Sequence, residues 1–362
     1  MIGPKTAGKS ACFWGQELEK EGIQMATLKQ IAQEAGVSVM TVSNVINHNY
    51  DKVSAKTAER VEEIVRKYNY VPNLSARSLS GKQSRIITVL VPEGEEPVHI
   101  LEDPYRQKMI AAMEFQLRQQ GYYVMLRAYR KAKEVIYLFH NWSVDGAVFF
   151  YPSFSDSEMK QVLDTGVPCV ILDRYYKNLN PLTVDLNDLH GGQLPARFLI
   201  ENGHRRITFA CPFNERSIVV SQRIKGFSQV LKEAGVPFPA RYFFNTDGSF
   251  EDGMRVGRAL CAMEDRPTAV VSTLDRLAVG ILEGVRLSGY SVPNDISIIS
   301  FDNWEVLQYV QPKLTTIAQD YEKKVKCTVD LLLRRIRGEE IKQPHVTLDV
   351  ELIDRQSVRK LN

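Results

Sequence analysis

The chain has 362 residues, with 46 Lys and Arg against 43 Asp and Glu, a net charge of +3. That length gives two or three domains with a large core, and the ordinary composition excludes disordered, collagenous and disulfide-stapled classes. No apolar run reaches the length of a membrane span, and no basic start followed by an apolar stretch suggests a signal peptide, so no membrane association is expected.

The five Cys are odd in number and form no CxxC pair, so they read as reduced packing residues of a cytosolic protein. The charge is uneven. Residues 25–85 hold nine Lys/Arg and five Asp/Glu, giving +4, whereas residues 86–362 hold 34 and 35, giving −1. A positive excess in a small N-terminal part suits contact with phosphates, although its size alone does not establish it.

Residues 1–24 carry no pattern. They read as a disordered extension or as a mis-assigned start, with Lys20-Glu21-Gly22 a translated ribosome-binding region and the protein beginning at Met25. From Thr27 to Asn47 two short helices are expected around a tight turn. Leu28, Ile31, Ala32 and Ala35 recur at helical spacing behind Thr27 as N-cap, and Gly36 supplies the C-cap. Ser38 caps the second helix. Val42, Val45 and Ile46 form its buried stripe and leave Val39, Met40, Thr41, Ser43 and Asn44 on the other side, the pattern of a helix that enters a DNA major groove.

A third helix is expected over about Ser54–Tyr68, followed by PNLSARSLSGKQS, Pro72–Ser84. With LKQIAQEAGVSVMTVSNVIN and VSAKTAERVEEIVRKYNYVPN, this string resembles the LacI/GalR family of bacterial transcriptional repressors, and the resemblance covers nearly everything after Gln24. It implies a helix-turn-helix DNA-binding domain over 25–72 and a hinge over 73–84. Val39, Met40 and Asn44 would face base edges. Ser38, Thr41, Ser43 and Lys52 suit phosphates, which position a protein without specifying sequence. Many relatives carry Arg where this chain has Asn44, and Asn favours adenine rather than guanine, so the operator half-site is expected to differ there. In the hinge, Arg77 would contact phosphate or the minor groove, and Leu79 matches the apolar wedge that kinks the duplex.

From Arg85 strands and helices alternate. IITVLV, YVMLRAY, GAVFFY, VPCVILD, RITFAC, YFFNT, AVVST and ISIISFDN read as strands, with helices between them and a long loop after VPCVILD. So many strands exceed one sheet. The expected fold class is a small all-α helix-turn-helix head plus an α/β core of two Rossmann-like subdomains, which the resemblance identifies as periplasmic-binding-protein-like. One subdomain would span 85–184 and 318–345, the other 185–317 and 346–362. No GxGxxG follows a strand, no P-loop occurs, the six His show no metal spacing, and no nucleophile–base order emerges, so neither cofactor, metal nor enzyme activity is indicated.

Ligands of such folds bind at the carboxyl ends of strands. Asp173 and Arg174 follow VPCVIL, Arg223 opens SQRIKGF, Asp275 follows AVVSTL and Asp302 follows ISIISF. Asp173, Arg223 and Asp302 match the family's effector-binding positions. Carboxylates and a guanidinium on one cleft suit sugar hydroxyls. Phe250 is expected to stack on the sugar, with Tyr105 retaining an aromatic at the cleft and Gln319 and Tyr321 at the lobe crossover. Arg127 or Arg130 would serve a phosphorylated ligand. Three features depart from many relatives: the longer acidic loop Pro92–Asp103, a shortened segment after YVMLRAY, and Leu274 where Asn is common.

The resemblance thus implies a cytoplasmic, nucleoid-associated homodimer on a pseudo-palindromic operator, controlled by a small effector, by family default a sugar or sugar phosphate. The rivals are a solute-binding protein of a sugar transporter and an enzyme on a Rossmann-like core. The attached head argues against the first, and the missing catalytic constellation against the second.

Overall fold

The computed structural model describes residues 26–46, 49–68, 70, 83–93, 100–176, 178–213 and 217–361. The 1–24 segment and the hinge residues Arg77 and Leu79 lie outside them. The chain divides into two compact units, 1–82 and 83–362.

In the first unit, α1 (Leu28–Ala35) starts at Thr27, whose side chain accepts from the Gln30 N–H while the Gln30 side chain returns to the Thr27 N–H. This capping box and the left-handed Gly36 at φ 62° fix both ends of the helix. Helix α2 (Val39–Ile46) begins at Ser38, whose hydroxyl accepts from the Thr41 N–H at 3.1 Å. Helix α3 (Ala55–Lys67) is capped by Ser54. Ile31, Ala35, Val42, Val45, Val61 and Ile64 close a small core between the three. Glu34 binds Lys67 at 2.6 Å and also Tyr68, tying α1 to the end of α3.

The second unit contains two six-stranded sheets. One takes β1 (Ile86–Pro92), β2 (Tyr123–Tyr129), β3 (Gly146–Phe150), β4 (Cys169–Leu172), β5 (Leu182–Leu186) and β11 (His345–Leu348), in the order 11-5-4-3-1-2. The other takes β6 (Ile207–Cys211), β7 (Phe243–Asn245), β8 (Ala269–Ser272), β9 (Ser297–Asp302), β10 (Thr315–Gln319) and β12 (Val350–Ile353), in the order 12-10-9-8-6-7. Among the described strands only β12 runs antiparallel to its neighbour, β10. The chain crosses between sheets near Asn187, Asp320 and Asp349.

Two details correct the sequence reading. The long loop after VPCVILD contains β5, LTVDL, whose Thr183 and Asp185 are buried. HVTLDVELI forms two short strands, one for each sheet.

The helices of this unit include α4 (Pro104–Gln119), α5 (Ala132–Trp142), α6 (Asp156–Leu163), α7 (Asp188–Glu201), α8 (Ile218–Glu233), α9 (Phe250–Ala262), α10 (Asp275–Leu287) and α11 (Tyr321–Ile336), and α7 and α8 approach backbone to backbone. A Cβ at Gly192 would lie 1.9 Å from the Arg223 carbonyl oxygen, and one at Gly226 would lie 2.0 Å from that of Leu189. This contact sets Arg223 of α8 against Asp188 at the start of α7. Gly192→Ala must force the helices apart and should destabilise the core by about 3 kcal/mol. Chemical denaturation of the variant checks this; an unchanged midpoint and slope would remove the close approach as a determinant.

Candidate functional site

In a parallel sheet whose strand order reverses, the chain leaves adjacent strands in opposite directions and opens a crevice at their carboxyl ends. Here the reversals fall between β1 and β3 and between β6 and β8. Pro92, Glu93, Tyr151 and Pro152 follow the first pair, and Pro212, Thr273 and Leu274 the second. All line one cavity of about 470 Å³.

Tyr105, Asp173, Arg223, Asp302 and Gln319 line this cavity as well. Two expected residues stand elsewhere. Asp275 is fully buried behind the wall, where it accepts from the Ser300 hydroxyl and, at 2.6 Å, from the Trp304 N–H. Its role is to hold the turn after β9. Phe250 begins α9 (Phe250–Ala262), half-buried and outside the cavity lining. The lining aromatics are Tyr105, Tyr151 and Trp304. Neither candidate phosphate ligand joins them: Arg127 points outward from β2, and Arg130 pairs with Glu93 at 2.9 Å.

On the first lobe, the Tyr105 hydroxyl donates to Asp173 Oδ2 at 2.7 Å, and Lys324 Nζ donates to Asp173 Oδ1 at 2.6 Å. Lys324 belongs to α11 (Tyr321–Ile336) and was not anticipated, because a lysine on an amphipathic helix reads as solvated. On the second lobe, Arg223 Nε donates to Asp188 Oδ1 at 2.8 Å and its guanidinium lies 3.5 Å from the Phe301 ring centre. Asp302 Oδ1 accepts from Gln319 Nε2 at 2.6 Å.

Tyr321 stands at the crossover. Its hydroxyl donates to the Asp302 carbonyl at 3.0 Å and accepts from Trp304 Nε1 at 3.1 Å, while its ring packs 5.9 Å from that of Tyr105.

Burial costs a carboxylate its hydration and favours the protonated form. It pushes Asp302 up to about 6, against the pull of Arg223 and Gln319. It pushes Asp185 up to about 7, helped by the charge of Asp173. Burial raises Asp188 too, and Arg223 opposes it. Asp275 rises well above the usual range through burial and then through the charge of Asp302. Among described residues, Gln319 Oε1 and Thr273 Oγ1 are buried without a partner. The backbone is strained at the same place: Tyr151 (φ 29°), Asp173 (φ 57°), Asp302 (φ 106°) and Asn303 (φ 63°) adopt conformations rare outside glycine. Strain of this kind clusters at ligand clamps, and here it gathers at strand ends around one cavity.

In the head, Val39 is 41% and Met40 69% exposed, large apolar side chains at the start of α2. Ser38 and Lys52 are exposed, and Thr41, Ser43 and Asn44 half-buried. Among the described residues no group of His, Cys, Asp and Glu is arranged to hold a metal, and no helix is long and apolar enough to cross a membrane.

A helix-turn-helix head and a two-lobed core with a polar cleft define a DNA-binding regulator that takes a small molecule. The model of bacterial regulatory proteins of the lacI family matches residues 27–73, and that of the periplasmic binding protein-like domain matches 196–358. The HTH-type transcriptional repressor PurR of Vibrio parahaemolyticus is 31% identical over 344 residues, covering 93% of this chain and 100% of the relative. The lac repressor dimer bound to operator and the anti-inducer ONPF matches with a TM-score of 0.80 at 28% identity, covering 92% of this chain and 99% of that one. The transcriptional regulator CelR in complex with cellobiose matches at 0.67 and 27% identity, with the same coverage. The chain belongs to the LacI family, which is made up of DNA-binding transcriptional regulators.

Proposed function

We propose that the protein is a homodimeric repressor of carbohydrate-utilisation genes, acting in the cytoplasm on a pseudo-palindromic operator and released by a small sugar bound in the core cleft. The observation that carries the reading is the second-lobe wall, where Asp302 and the unpartnered Gln319 Oε1 offer adjacent acceptors beside the Trp304 ring. Sugar hydroxyls supply the donors, and a ring covers a sugar's apolar face. The likeness to CelR with its cellobiose supports the same class. Leu274 and the three lining aromatics favour a second reading, a nucleoside. Isothermal titration with sugars and nucleosides separates the two: saturable binding of a sugar alone supports the first, and of a nucleoside alone the second.

In the head, Val39, Met40 and Asn44 read base edges, and Ser38, Thr41, Ser43 and Lys52 meet phosphates. Arg77 and Leu79 engage the minor groove. Asn44→Ala should relax preference at one base pair, a change worth about 1–3 kcal/mol, whereas Lys52→Ala should weaken all sequences alike and lower the salt slope by about one. Binding of each variant to an operator library across salt concentrations checks this. Identical behaviour of the two would contradict the docking.

A further inference from the structure

Lys324 is a lysine inside the wall of a ligand cleft, its side chain only 1% exposed. Its ammonium donates to Asp173 Oδ1 at 2.6 Å and to the Tyr105 hydroxyl at 2.9 Å, and Tyr105 closes the triangle onto Asp173 Oδ2. An ammonium has three donors. The third meets no partner among the described residues, and Lys324 borders the cavity, so the cleft presents this donor to its occupant.

The charges decide what kind of acceptor fits. The two buried cations of the cleft are matched one for one, Lys324 by Asp173 and Arg223 by Asp188. Asp302, also buried and lining, has no cation bonded to it among the described residues. Arg174 lies across the Tyr176 ring, 5.5 Å from its centre, with its backbone N–H on the buried Asp185 carboxylate. An anion entering this floor would meet the Asp173 and Asp302 carboxylates, while the buried Lys324 and Arg223 each already hold a carboxylate of the protein. A hydroxyl, ether or carbonyl oxygen or a ring nitrogen would take the Lys324 donor without that repulsion.

We propose that Lys324, neutralised by Asp173 and held by Tyr105, is a specificity-determining residue that selects an effector with an uncharged acceptor and rejects its phosphorylated or carboxylated forms. The proposal rests on the cavity being the effector site and excludes the sugar-phosphate half of the family default.

The test uses inorganic phosphate as the probe, titrated calorimetrically into the full chain. Wild type should give no saturable binding at millimolar phosphate. Asp173→Asn leaves the Lys324 charge unmatched and should create a phosphate site, with affinity at least about tenfold above that of Asp173→Asn/Lys324→Met. Tyr105→Phe frees one donor without changing the charge and should still ignore phosphate. Phosphate binding by wild type that Lys324→Met removes would overturn the proposal. So would binding by Tyr105→Phe, or a cooperatively melting Asp173→Asn that gains none. Should Asp173→Asn not fold, the wild-type and Tyr105→Phe titrations decide it by the same outcomes. Because the probe is not the effector, a failed effector screen would count against the functional reading and leave this result standing.

Discussion

Arg223→Ala is expected to yield a repressor that binds its operator but no longer answers to effector, in a core destabilised by about 3–5 kcal/mol. Among the described residues the guanidinium is the only cation bonded to Asp188; it packs on Phe301 and reaches the Thr273 carbonyl at 3.4 Å. Removing it strands a carboxylate whose side chain is 2% exposed. Burial already raises Asp188, and without Arg223 it rises further. A carboxyl whose folded pKa lies above its unfolded value makes the fold lose stability as pH rises from the unfolded value to the folded one. The variant's deficit should therefore be largest at high pH and shrink as pH falls and Asp188 takes a proton. Adding Asp188→Asn should recover most of the stability but not the effector response. Denaturation midpoints across pH, with effector titrations on the double variant, check both parts. Recovery of the response in the double variant would reduce Arg223 to a structural role.

Asp302→Asn is expected to stabilise the unliganded core while losing effector binding. Burial holds this carboxyl at about 6, so stability is full below the unfolded value near 4 and declines as pH rises toward 6 and the group ionises. Above pH 7 the amide should therefore gain about 1–3 kcal/mol, with no gain below pH 4. Removal of the charge also relieves Asp275 behind the wall. Effector affinity should fall at least about a hundredfold if, as proposed, this carboxylate accepts from ligand hydroxyls, because the amide that replaces it carries no charge. Thermal unfolding at several pH values and effector calorimetry give the result. A variant less stable at neutral pH with effector affinity intact would place Asp302 in the turn rather than the site.

Much of this was legible in the sequence for identifiable reasons. Thr27, Gly36 and Ser38 are local capping signals, and the structure uses each as a cap. The polar residues after strands brought Asp173 and Asp302 to the cavity because strand ends are local features, although the same signal also picked Asp275, which lies behind the wall; Arg223, inside α8, came from the family resemblance. What stayed hidden depends on distant partners. Strand β5 was read as loop because Thr183 and Asp185 interrupt its apolar run, and Asp185 is buried with the Arg174 N–H on it. Lys323 and Lys324 look alike in sequence. Only the fold sets one outside and the other against Asp173, across 151 residues of chain. Asp188 reads as an ordinary first-turn helix acid until Gly192 and Gly226 bring Arg223 to it. Trp304 gains its place from the Tyr321 hydroxyl, which no local pattern announces.

Ligand in the core cleft is expected to control operator binding by the head. The direct measurement is fluorescence anisotropy of the full chain on a library of palindromic DNA at fixed salt, repeated with sugars, sugar phosphates and nucleosides. Sequence-specific binding should be released by one uncharged sugar, with Arg223→Ala binding the same DNA and ignoring that sugar. Specific binding unchanged by every compound, or release that persists in Arg223→Ala, would contradict it.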